Sequence, residues 1–135
     1  MPHIPHWERH LASALATART TPFAWGRHDC ATWAFELRTK LTGGPDTAAR
    51  WRGRYSTGYG AAIIMRRLGW SSLEEMGRDL LGEPLSTPLL AQRGDILLGG
   101  DPDAFGICAG RAGVFLTPEG LTELPLSNCH LAWRI

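Results

Sequence analysis

The sequence predicts an α+β domain, a helical N-terminal half packed on a small antiparallel sheet, and three observations carry that reading. From residue 6 to about residue 81 the apolar side chains recur at helical spacing, with capping residues before them and glycines after. Beyond Pro84 and Pro88 the pattern changes to short apolar runs separated by Gly, Pro and Asp, the mark of closely spaced strands. Helices come first and strands second instead of alternating, which argues for α+β with antiparallel neighbours rather than βαβ units.

The first helix is expected over residues 6–18, where Trp7, Leu11, Ala14, Leu15 and Ala18 form one stripe before Thr20-Thr21-Pro22 breaks it. Asp29 is a good N-cap for a second helix that runs to about Leu41 and is closed by Gly43-Gly44-Pro45. Its buried face would be Cys30, Trp33, Ala34, Leu37 and Leu41, so Cys30 points inward. Residues 46–51 predict a single turn, followed by the glycine-rich stretch 53–60. Residues 61–68 read as a third helix stopped by Gly69. Ser71-Ser72-Leu73-Glu74-Glu75 reads as the capped start of a fourth, because a serine followed three residues later by glutamate satisfies two orphan amides. That helix should end near Leu81-Gly82. Strands are expected at 95–98, 105–108, 113–116 and 121–124, with a fifth at 130–135. No internal repeat or domain boundary interrupts residues 1–135, so one domain is expected.

Composition narrows the function. Of 135 residues 44% are hydrophobic and 20% charged, which is enough for a single core. A net charge of +1 and a pI near 7.8 lack the basic footprint of a nucleic-acid binder. No apolar run has the length of a membrane span, and the start of the chain lacks the basic and apolar regions of a secretory signal. Three cysteines, at 30, 108 and 129, make no disulfide framework. The chain is therefore expected to be made in a reducing cytoplasm and kept there, or assembled there into something larger. Six tryptophans suit anchors of a small core or of an interface. Trp133-Arg134-Ile135 ends on an apolar strand, which predicts a tucked-in terminus or an edge covered by another subunit.

Asp29-Cys30 carries the chemistry. A cysteine in the first turn of a helix meets unpaired backbone N–H groups and the positive end of the helix dipole, both of which favour a thiolate. Cys30 therefore reads either as a nucleophile or as a buried structural cysteine. Catalysis needs a histidine, and the candidates are His28, two residues away, and His130 on the last strand. His3, His6 and His10 are expected to face solvent. Asp29 would either orient that histidine or simply cap the helix, and Asp95 reads as a turn and strand-start residue. Cys30, Cys108 and Cys129, with His28 or His130, have the ligand types for zinc or an iron–sulfur cluster, but no Cys-x-x-Cys clamp is present. No cofactor is predicted. Trp51, Arg52, Arg54 and Tyr55 form either a partner-binding patch with bidentate arginines or a surface loop whose aromatics pack inward.

Three segments resemble the NlpC-type papain-like cysteine peptidases, enzymes that cut the peptide stems of bacterial cell walls. Trp25-Gly26 to Cys30-Ala31 resembles the segment around that family's nucleophile. Arg93-Gly94-Asp95-Ile96 resembles its first central strand, and Ala104-Phe105-Gly106-Ile107 the strand that carries its base. On this register the base position is Ala104, the third polar position falls among Val114, Phe115 and Leu116, and Ala31-Thr32 replaces the Ser-Gly after the nucleophile. The chain is also similar to a small family of phage and prophage proteins that pair a Trp-Gly…Asp-Cys segment with Trp51-Arg52-Gly53-Arg54-Tyr55, and whose genes lie among tail genes beside a cell-wall peptidase. The resemblance implies a tail-tip or baseplate assembly protein on a degenerate peptidase scaffold. It would be made in the bacterial host cytoplasm and carried in the virion tail, with other tail-tip or hub proteins as partners. The alternative it implies is an active endopeptidase on peptidoglycan peptides using Cys30, His130 and Asp29. A metal- or iron–sulfur-holding tail assembly factor is a second.

Overall fold

A computed structural model describes residues 2–135. Its helices are α1 (Trp7–Thr20), α2 (Cys30–Thr42), α3 (Gly58–Arg67) and α4 (Leu73–Leu81); its strands are β1 (Ile96–Gly99), β2 (Ala104–Cys108), β3 (Ala112–Thr117), β4 (Gly120–Pro125) and β5 (Cys129–Trp133). Helices precede strands, and the fold is α+β. The strands form one antiparallel sheet in the order β4-β3-β2-β1-β5. β1 to β4 are a meander, and β5 returns to pair with the free side of β1, matching Ile96 with Trp133. Among the described residues no helix is long and apolar enough to cross a membrane.

Both faces of the sheet are covered, which explains why β1 to β3 read as continuous apolar runs rather than alternating ones. Ile96, Leu98, Phe105, Ile107, Val114 and Leu116 face the helices. Leu97, Cys108, Phe115, Cys129 and Ala132 form a smaller cluster with Leu85, Ala91, Leu124 and Leu126 packed against it. Only β4, at the edge, is exposed over much of its length. α2 is the central helix. Of the predicted face it buries Trp33, Ala34, Leu37 and Leu41, with Cys30 half-buried, and it also buries Ala31, Thr32 and Phe35, because α1, the 47–50 turn and β2 all pack on it.

A run of aromatic rings ties helices to sheet: Trp70 to Trp51 at 6.0 Å, Trp51 to Phe35 at 5.5 Å, Phe35 to Phe105 at 5.4 Å and Phe105 to Trp133 at 6.3 Å. Each ring buries enough apolar surface to stabilise the fold by roughly 2–3 kcal/mol. Trp33, Trp51, Trp70 and Trp133 are all buried, so these tryptophans anchor the core rather than an interface. The end of the chain is tucked in: Trp133 donates its indole N–H to the Gly82 carbonyl at 2.9 Å, and Leu85 N–H pairs with the Ala132 carbonyl at 2.8 Å along β5.

Two expectations need correction. α3 begins at Gly58, three residues before its predicted start, because Thr57 caps it by accepting from Gly60 N–H at 3.0 Å. His3 is not solvent-facing; it stacks on Trp7 with centroids 4.2 Å apart and its Nε2 is buried.

Candidate functional site

The loop before α2 is a tight turn in which Ala24 and His28 exchange backbone hydrogen bonds of 3.1 and 2.8 Å. Gly26 makes it possible with φ of 80°, and a Cβ there would collide with the Tyr55 carbonyl oxygen. The turn delivers Asp29 to the N-cap. Its Oδ1 accepts from Thr32 N–H at 2.8 Å, while Oδ2 accepts from Gly26 N–H at 2.8 Å and from the Tyr55 hydroxyl at 2.6 Å. Asp29 is 2% exposed and all three bonds are structural, so it caps the helix and orients no histidine.

Residues 51–55 wrap around this helix start. Gly53 N–H donates to the Gly26 carbonyl at 2.9 Å, and the Trp51 indole N–H reaches Thr32 Oγ1 at 3.2 Å. Arg52 grips Glu36 at 2.7 Å and takes Asp46 bidentately at 2.8 and 2.9 Å. Trp51 and Tyr55 are buried and Arg52 is ion-paired. Of the four proposed partner-binding residues, Arg54 alone is exposed. The segment is an internal brace for the Asp29-Cys30 corner.

Cys30 opens onto a cleft of two lobes, of about 420 and 520 Å3, that share Trp25, Cys30, Pro102 and Asp103. The smaller lobe runs towards Tyr55, Ala61, Met65 and Trp70 on the helical side. Its larger neighbour runs over the sheet, past Ala104, Phe115 and Thr117. Burial pushes the Cys30 thiol up to about 11, and the Asp29 carboxylate adds to that. Backbone N–H groups of Phe105, Ala31 and Cys30 itself pull the other way and do not offset the burial. The thiolate expected from the helix-start position is thus disfavoured at neutral pH.

The histidines are elsewhere. His28 lies in a separate groove between α1 and α2, with His10, Glu36 and Lys40. His130 contacts the Gly100 carbonyl at 3.2 Å and Asp103 at 3.4 Å, on the β1–β2 loop. Among the described residues neither lobe of the cleft is lined by histidine. Ala104 shares the larger lobe with Cys30, so the position that the resemblance gives to a base holds a methyl group.

The cysteines do not converge. Cys30 packs with the helical core, whereas Cys108 and Cys129 lie in the cluster on the opposite face of the sheet, and no metal-capable group of three His, Cys, Asp or Glu exists among the described residues. Asp95 is more than a strand start: 1% exposed, it accepts from Gln92 N–H at 2.8 Å, Ile135 N–H at 3.1 Å and Arg134 Nε at 3.0 Å.

Sequence reasoning missed Thr117, the last residue of β3, which lines the larger lobe one position beyond the apolar trio. It also missed the exposed carboxylates Asp101, Asp103 and Glu119 around that lobe. The Gly100 to Asp103 turn signal marks the loop but not which cavity it borders. No curated protein matches the sequence. A family model matches residues 2–135, nearly the whole chain, and by that match the protein belongs to the family described as a domain of unknown function, DUF6950.

Proposed function

We propose that this chain is a non-catalytic structural protein of a phage or prophage tail, on a papain-like, NlpC-type scaffold whose cleft has kept its shape and lost its chemistry. The observation that carries the reading is Ala104 beside Cys30 in a cleft without histidine among the described residues. A cysteine peptidase needs a group that takes the thiol proton and returns one to the leaving amine, and a methyl group does neither. The raised Cys30 pKa supports the same conclusion, because the backbone donors around the sulfur do not offset the cost of burying a thiolate. The architecture of the corner has a structural reason instead: Asp29, Gly26, Trp51, Arg52 and Tyr55 lock two segments together. Placement in a tail, with tail-tip or hub proteins as neighbours, rests on the similarity of the Trp25-Gly26…Asp29-Cys30 and 51–55 segments to the phage and prophage proteins.

Alkylation of Cys30 by iodoacetamide, followed by peptide mapping, tests the chemistry. The rate should climb with pH towards a midpoint near 11 and be negligible at pH 7. Peptidoglycan incubated with the protein should release no stem-peptide fragments, and phage bearing Cys30→Ser should assemble and infect normally. A midpoint below 7 together with Cys30-dependent release of fragments would establish the endopeptidase reading in its place.

A further inference from the structure

The larger lobe of the Cys30 cleft has an apolar floor and an acidic rim. Phe23, Trp25, Phe115 and Leu124 line it, and Asp101, Asp103 and Glu119 stand exposed at its edge. Among the described residues no Lys, Arg or His lines this lobe, although the chain as a whole carries a net charge of +1. Among the described residues Asp101 and Glu119 have no ion-pair partner, and Asp103 has only the His130 ring at 3.4 Å. Carboxylates around a low-dielectric hollow focus a negative potential at its mouth. Phe23 and Trp25, packed edge to face with centroids 4.8 Å apart, add aromatic surface that also favours a cation. The second lobe adjoins it across Trp25, Cys30, Pro102 and Asp103, and Ala61, Met65 and Leu73 give that lobe an apolar lining with Arg66 beside them. A small cation would fill one end only; an extended chain occupies both.

Resting on the non-catalytic reading above, we infer that the cleft holds, uncut, an extended segment of a partner protein that presents a lysine or arginine to the larger lobe. The aliphatic stem of that side chain lies along Trp25 and Phe115, and its charged end reaches the Asp101, Asp103 and Glu119 rim. Flanking apolar residues of the same segment take the second lobe. An anionic side chain is rejected at the larger lobe, because that rim offers it three carboxylates, whereas Arg66 lines only the second lobe.

Three capped pentapeptides test this, alanine–leucine–X–leucine–alanine with lysine, norleucine or glutamate at X, titrated by NMR into the isotope-labelled full chain at low salt. The lysine peptide should move the Trp25 indole signal and the Cys30 and Asp103 amides and bind about fivefold tighter than the norleucine peptide. The glutamate peptide should not bind. Asp101→Asn combined with Glu119→Gln alters only exposed positions and should weaken the lysine peptide about fivefold, as should high salt. Equal binding of all three peptides, or undiminished binding of the lysine peptide to the double variant, overturns the inference. Mass spectrometry of the mixtures separates the two readings. A cleaved peptide overturns the non-catalytic reading, whereas an intact lysine peptide that never binds overturns the occupant alone.

Discussion

At Asp29 one buried carboxylate satisfies the Gly26 and Thr32 amides and the Tyr55 hydroxyl, joining the turn, the helix start and a segment 26 residues away. The carboxylate also sits at the positive end of α2, where negative charge is favoured. Its neighbour Cys30, by contrast, loses more to burial in its charged form than its backbone donors return. The sharing of these duties makes Asp29 the residue whose loss the corner tolerates least. Asp29→Ala removes an N-cap worth about 1 kcal/mol and strands buried donors at about 1–3 kcal/mol, so urea unfolding should show a loss of about 3 kcal/mol. Tyr55→Phe deletes a single bond and should lose about 1 kcal/mol. If Asp29→Ala unfolded at the wild-type midpoint, the carboxylate would have no such bracing role.

Between α1 and α2 the relevant element is the groove that holds His28. Its Nε2 is buried without a hydrogen-bond partner, and burial lowers its pKa from 6.5 against the opposing pull of Glu36 and Asp29. The native state thus binds the His28 proton later than the unfolded chain does as pH falls. Stability is full above 6.5, declines as pH drops below it, and levels off once pH has passed the lowered native value. His28→Gln should flatten that part of the curve relative to wild type in chemical unfolding across pH 5 to 8; parallel curves would exclude the mechanism. The same element shows what a sequence reveals. Helices α1, α2 and α4 and all five strands were legible because their apolar period is local and their caps, Asp29 and Ser72, precede them directly. The start of α3 was not, since Gly58-Tyr59-Gly60 has loop composition and only Thr57 caps it. The site divides in the same way. Cys30 at a helix start and Ala104 at a strand start were visible. What escaped was direction: His28, two residues from Cys30, turns into the α1–α2 groove because the Ala24–His28 bridge reverses the chain between them and the cleft. Long-range pairs such as Tyr55 with Asp29 leave no periodic trace at all.

On the scale of the whole molecule, Asp95 closes the fold as Asp29 closes the corner. It stands just before β1, between β2 and β5 in the sheet, and binds Ile135 N–H and Arg134 beyond β5, while Arg134 also donates to the Leu90 carbonyl at 2.9 Å. β1, β5 and the segment that covers the outer face of the sheet are therefore fastened at one point. That segment brings Leu85 and Ala91 against the cluster holding Cys108, which is fully buried. The Asp95 carboxylate is 1% exposed whereas Arg134 is 46% exposed, so solvent screens the pair and its strength is well below that of a fully buried one. Removing the arginine still leaves a buried carboxylate with only two amide donors. Arg134→Ala should cost about 2 kcal/mol, and the loosened cover should let Cys108 react with a thiol reagent faster than in wild type. Asp95→Asn combined with Arg134→Ala should lose less than the sum of the single changes, because the second substitution removes the charge that the first left unpaired. Strict additivity, with Cys108 as protected as before, would mean that the strands and cover are held by apolar packing alone.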